Sequence, residues 1–186
     1  MQAQSRNKSI LLVSAMILLA ALSRLLPHPP NVAPIGAMAL FGAAYLKQKH
    51  LALIIPFAAL WISNLLLDNL VYGMYYEHFM WFSNPGVFLS FLLIVLLGFG
   101  LLKQISAGRI FGASLAASVL FFLVTNFFSW LSYGLYPMNL AGLLACYTAA
   151  IPFFWNTLAG DLFFVLVLFG GYEWISSRYP GFSFSK

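Results

Sequence analysis

Apolar runs of membrane-crossing length, one after another along the whole chain, constrain this sequence more than anything else in it. A helix needs about 20 mostly apolar residues to cross the roughly 30 Å hydrocarbon layer, because each residue rises about 1.5 Å. Six segments meet or approach that length: 9–26, 34–46, 51–72, 87–102, 110–133, and one within 141–175. Backbone polar groups in lipid must be satisfied internally, so these runs predict helices and an all-α polytopic membrane protein. Only 7% of the 186 residues are charged, against about a quarter in a soluble domain, and they fall between the runs. The length suits a single domain over 1–186, with the bilayer as its solvent.

The last apolar stretch is too long for one crossing and too short for two with a loop. Pro152 divides it, and proline removes a helical amide hydrogen. The expectation is therefore a short interfacial helix over 140–151 on the outer side, followed by a sixth span at 152–175. The first run follows Arg6 and Lys8 as a signal peptide would. No small-residue cleavage site precedes Arg24, however, so the run reads as a retained span.

Lys and Arg concentrate in cytoplasmic loops, so their placement predicts orientation. With six crossings, Arg6, Lys8, Lys47, Lys49, Lys103, Arg109, Arg178 and Lys186 share one side, and Arg24 stands alone on the other. Both termini are then expected in the cytoplasm. The formal charge of +5 is dispersed among apolar runs and forms no patch for nucleic acid. The single Cys146 excludes an internal disulfide and a cysteine-based zinc cluster.

Charged and strongly polar groups are costly inside a bilayer, so the positions retaining one are functional candidates. They are Arg24 at the end of the first span, Asn64 and Asp68 on the third, Asn126 and Ser129 on the fifth, and Asn156 and Asp161 on the sixth. In the expected orientation nearly all lie in the outer half of the bundle. Asn64 and Asp68, four residues apart, share a helix face. Aromatic residues, Trp130 among them, cluster at the same level, and rings with a few convergent polar groups suit a pocket for a small molecule. Each candidate has a structural alternative: Arg24 as a tie to Asp68 or Asp161, the asparagines as interhelical hydrogen-bond partners, the rings as an interfacial belt. His78, in an outer loop, is either a ligand for a metal-containing substrate or a solvated loop residue. Four prolines, at 27, 29, 30 and 34, stiffen the segment after Arg24 and are expected to hold Arg24, His28 and Asn31 at the pocket mouth. No zinc-protease box, nucleophile elbow or phosphate-cradling loop occurs.

The segment from Ser23 to Gly42, with Thr125-Asn126 and the block from Leu140 to Asp161, resembles a family of bacterial integral membrane proteins of uncharacterised function. That family is similar to the substrate-binding S components of energy-coupling-factor (ECF) vitamin transporters. The resemblance implies a six-helix bundle in the bacterial cytoplasmic (inner) membrane that binds a vitamin or related micronutrient in its outward half, without a cofactor or covalent chemistry. Arg24, Asn31, Asp68, His78, Asn126, Asn156 and Asp161 would then surround the substrate, with cobalamin as first guess and His78 as candidate cobalt ligand. S components commonly dock on their coupling module, a transmembrane subunit with ATPases, through an Ala-xxx-Ala contact in the first helix. The stretch from Ser14 to Ala21 lacks a clean copy. The rival readings are an intramembrane acid-base enzyme acting on a lipid, built from Arg24, His28, Asp68 and Asp161, and a structural subunit of a membrane complex.

Overall fold

The computed structural model describes residues 2–182, which are helical wherever they are regular. Six helices follow one another: α1 (Gln2–Ser23), α2 (Ile35–Tyr45), α3 (Lys49–Val71), α4 (Pro85–Leu101), α5 (Ala107–Ser132) and α6 (Leu140–Arg178). Of these α1, α3, α5 and α6 are long and apolar enough to cross a membrane, while α2 has 11 residues and α4 has 17. Large apolar side chains such as Leu11, Leu19, Leu96 and Leu166 stand exposed on the outside, the surface a bilayer would cover.

The shortest helix is the centre of the bundle. α2 touches each of the other five, and Ile35 to Gly42 are all buried. Its sequence, IGAMALFGAAY, is apolar on every side, the pattern of a helix surrounded by protein rather than lying on a surface. At about 1.5 Å per residue it is only some 16 Å long, about half a hydrocarbon layer. The 34–46 segment is therefore a core helix, not a spanning one by itself. Its small residues permit the closeness: a Cβ on Gly42 would lie 2.5 Å from Pro56 Cγ on α3, and one on Gly98 of α4 would lie 2.7 Å from Ala43 Cβ. Phe41, Met38, Leu40, Ile17, Leu60, Phe91 and Ile94 complete the dry core around it.

The expected break at Pro152 does not occur. Leu140–Arg178 is one continuous helical run of 39 residues with Pro152 inside it, so there is no separate interfacial helix over 140–151 and the last helix does not begin at 152. A proline removes one hydrogen bond from a helix, but in an apolar bundle ending the helix would strand several more, so the helix persists. Further along the same run a π-helical turn spans Leu166–Gly170. A second π turn, Leu67–Val71, ends α3. There Tyr72 N donates to Leu67 O at 2.8 Å.

Contacts between distant residues define the two ends. At one end Ser9 Oγ donates to Phe182 O at 2.7 Å, and Tyr45 at the end of α2 donates to Glu173 of α6 at 2.7 Å. At the other, Trp61 Nε1 donates to Trp81 O, Asn84 Nδ2 to Tyr133 Oη, and Trp130 Nε1 to Pro137 O. We call these the terminal end and the loop end.

Candidate functional site

The segment joining α1 to α2 is more than a turn at the loop end. Proline denies it helical hydrogen bonds, so it leaves helical geometry at Pro27, turns at Pro30 and Asn31, where Val32 N donates to Pro29 O at 3.1 Å, and passes along α6. Asn156 Nδ2 donates to Pro30 O at 3.0 Å. One turn further along α6, Gly160 lies so close that a Cβ there would stand 3.0 Å from Ala33 N and 3.1 Å from Val32 Cα. Asn31 takes a left-handed conformation at φ 64, a geometry asparagine tolerates better than most residues.

The descent ends on Asp161. The first backbone amides of a helix have no partner within it, and Pro34, at the N-cap of α2, has no capping side chain to offer them. Asp161, buried on α6, accepts from the backbone N–H groups of Gly36 and Ala37. These are the second and third residues of α2, the two amides that a helix-capping oxygen normally serves. Ser118 Oγ of α5 donates to Asp161 Oδ2 at 2.7 Å. A carboxylate from a distant helix thus performs the capping that the local sequence cannot, and its charge opposes the positive end of the α2 dipole. Gly36 has no side chain because there is no room: a Cβ would lie 2.6 Å from Asp161 Oδ1. One turn along α5 from Ser118, the buried Ser114 hydroxyl has no hydrogen-bond partner among the described residues.

A second polar group lies where α1 ends. Arg24 Nη1 donates to Ser63 Oγ at 2.7 Å and to Asn64 Oδ1 at 2.6 Å. Asp68 lies one turn beyond Asn64, buried, in the π turn, and its charge acts on Arg24 without an ion pair within 4 Å. Asn64 and Asp68 therefore do face one group, as their spacing predicts. Arg24 is tied by hydrogen bonds to α3, not to Asp161. Asp68 carries no side-chain hydrogen bond among those of the described residues, which leaves its carboxylate oxygens available beside a fixed cation.

The other candidates are distributed around these two groups. Asn126 Nδ2 turns back to Phe122 O of its own helix, and Trp130 holds the 133–139 connection. His28, Asn31 and His78 are exposed. Among the described residues no three His, Cys, Asp or Glu side chains converge as a metal site would require. Three residues that tie these groups and loops together escaped the sequence reasoning. Ser63 and Ser118 look like ordinary helical serines, although Ser118 stands four residues after Ser114 on the small-residue face that includes Ala113 and Ala117. Asn69 clamps the loop after α3, donating to Met80 O at 2.9 Å and accepting from Met80 N at 2.8 Å.

Over its described residues the molecule is thus all-helical, with four helices of membrane-crossing length and buried polar groups between them. The chain belongs to a family of unknown function, DUF6580, whose family model matches residues 4–182. No curated protein and no solved structure matches it.

Proposed function

We propose that this protein is a membrane-embedded substrate-binding carrier, similar in plan to an ECF S component, for uptake of a vitamin or related micronutrient. The observation that carries the reading is Arg24, held by Ser63 and Asn64 with the Asp68 carboxylate open beside it, at the loop end of the bundle. A fixed cation next to an available carboxylate offers a small polar molecule one acceptor and one donor site in a low-dielectric setting. Exposed rings of the following loop, Tyr72, Tyr75 and Trp81, supply stacking surface close by. In this reading the chain crosses a bacterial cytoplasmic membrane six times with both termini inside, α2 and the irregular segment before it making the second crossing together. The loop end then faces outward. A coupling module of membrane subunit and ATPases would supply the energy.

The test is ligand retention. The protein is purified in mild detergent, and its optical spectrum and extracted small molecules are recorded, with a corrinoid as the first added probe. Expected is a bound small molecule that Asp68→Ala loses while thermal stability stays within a few degrees of wild type. Wild-type protein that retains nothing and is stabilised by no compound in a broad vitamin panel refutes the proposal. Turnover of labelled lipid would instead identify the enzyme alternative.

A further inference from the structure

Arg24 and Asp68 are each only partly satisfied by the protein, and in complementary ways. Both side-chain bonds of Arg24 leave Nη1, to Ser63 and Asn64, so the donors on Nη2 and Nε are unused among the described residues. Asp68 is only 9% exposed, yet no described residue hydrogen-bonds its carboxylate or pairs with it within 4 Å. A buried carboxylate of this kind is costly unless something completes it. Its oxygens are not sealed away, since among the described residues the one buried side-chain oxygen that is both closed off and unbonded belongs to Ser114.

The end of α3 sets this geometry. Asn64, Asp68 and Tyr72 recur every four residues, and the π turn at Leu67–Val71 carries that column to the last turn of the helix. Tyr72 as well as Asp68 lies within electrostatic reach of Arg24. Asp68 also reaches Tyr76 in the loop beyond. Burial pushes the Tyr76 hydroxyl above its ordinary range, and the Asp68 charge with the Tyr133 and Tyr72 oxygens adds to the shift. Tyr133, at the end of α5, accepts from Asn84 Nδ2 at 3.4 Å where α4 begins. Partly exposed rings from α3, the loop and α5 therefore gather beside one carboxylate, and none of their hydroxyls bonds to it.

The charges decide what fits. Arg24 and Asp68 sum to zero, with Asp68 buried and Arg24 half-buried. A cationic ligand would meet Asp68 but face Arg24, and an anion the reverse, each leaving a charge uncompensated where the dielectric is low. A ligand that carries both an ammonium and a carboxylate uses the unbonded oxygens and the unused N–H groups together, through charge-assisted hydrogen bonds. We propose that the substrate bears an α-amino acid head, its ammonium on the Asp68 carboxylate, its carboxylate on Nη2 and Nε of Arg24, and its side group among Tyr72, Tyr76 and Tyr133. The inference rests on the uptake reading of the same site and narrows it to one substrate class.

The experiment compares L-phenylalanine, phenethylamine and 3-phenylpropionate, which share a ring and differ in the charged groups they carry. Binding to the full chain in detergent is measured by isothermal titration calorimetry, and any molecule retained through purification is identified by mass spectrometry. Wild type is expected to bind L-phenylalanine about tenfold or more tightly than either analogue, as loss of one hydrogen bond to a charged group implies. Asp68→Asn should lose the margin over 3-phenylpropionate and bind that anion more tightly than wild type does, because the opposing carboxylate is gone; a purely structural Asp68 would weaken all three alike. The amino acid head is refuted, with the uptake reading intact, if either analogue binds wild type as tightly as L-phenylalanine. The same holds if the protein retains or binds a vitamin lacking one of the two groups and does not bind L-phenylalanine, or if Asp68→Asn keeps the margin. Wild type that retains nothing and binds neither these probes nor any vitamin refutes both.

Discussion

Removing the Asp161 carboxylate should destabilise the fold through α2 rather than act on a ligand. In Asp161→Ala the Gly36 and Ala37 amides lose their acceptor, while the Ser118 hydroxyl keeps the Ser114 carbonyl at 3.1 Å. Bilayer hydrogen bonds between side chains average only about 0.6 kcal/mol, because partners are also found in the unfolded state within the membrane. The two amides differ, since the dry core offers them no substitute acceptor, and each buried donor left unpaired costs about 1–3 kcal/mol. Loss of the charge at the dipole end adds up to about 2 kcal/mol, and relief from burying a carboxylate offsets part of the total. The net expectation is about 3 kcal/mol, which for a chain of this size corresponds to a fall in melting temperature of about 6–12 °C. Thermal unfolding in detergent, followed by tryptophan fluorescence and circular dichroism, measures it. Asp161→Asn, which keeps one acceptor oxygen, should fall between wild type and alanine. If Asp161→Ala melts within about 2 °C of wild type, the capping argument is wrong, and loss of ligand with stability intact would make Asp161 a substrate contact instead.

Gly36→Ala should destabilise by a similar amount, because its Cβ would stand 2.6 Å from the same carboxylate, and in the double variant with Asp161→Ala the penalties should fall well short of their sum; additive melting shifts would refute the shared contact. Arg24→Ala should cost about 1–3 kcal/mol by leaving the buried Asn64 oxygen without its donor, and Asn64→Ala, which removes that oxygen, should cost less; equal thermal shifts would refute the contact. For orientation, cysteine tags at Glu77 and at Met138 should both react with an impermeant reagent added outside cells. Labelling of either only after permeabilisation excludes the six-crossing arrangement.

Much of the architecture is legible in local sequence. The observed ends of α1, α3, α4 and α5 lie within a few residues of the expected spans, except that α1 starts earlier, at Gln2. Apolar run length and breaker residues are properties of a segment by itself. The expectation at Pro152 failed because a proline weighs differently in a dry bundle: ending a helix there strands more hydrogen bonds than the proline removes. At 34–46 the helix stands where expected, as Ile35–Tyr45, but its place at the centre of the bundle was not legible. An apolar run reports what its surroundings exclude, and a protein core excludes water as lipid does, so Ile35–Tyr45 satisfies either environment.

The candidate site divides along the same line. Cost alone selects Arg24, Asn64, Asp68, Asn126, Ser129, Asn156 and Asp161, because polar groups in an apolar chain need a reason to be there; for Asn126 and Ser129 the partner is a carbonyl of their own helix. What each one does depends on partners that no spacing rule connects: Arg24 with Ser63, Asn156 with the Pro30 carbonyl, Asp161 with the start of α2. Sequence by itself determined that this chain is helical and apolar enough to cross a membrane, and which few polar residues matter. Tertiary structure alone decided that the shortest apolar run is the core and that a distant aspartate caps it, because capping and close approach arise between segments rather than within them.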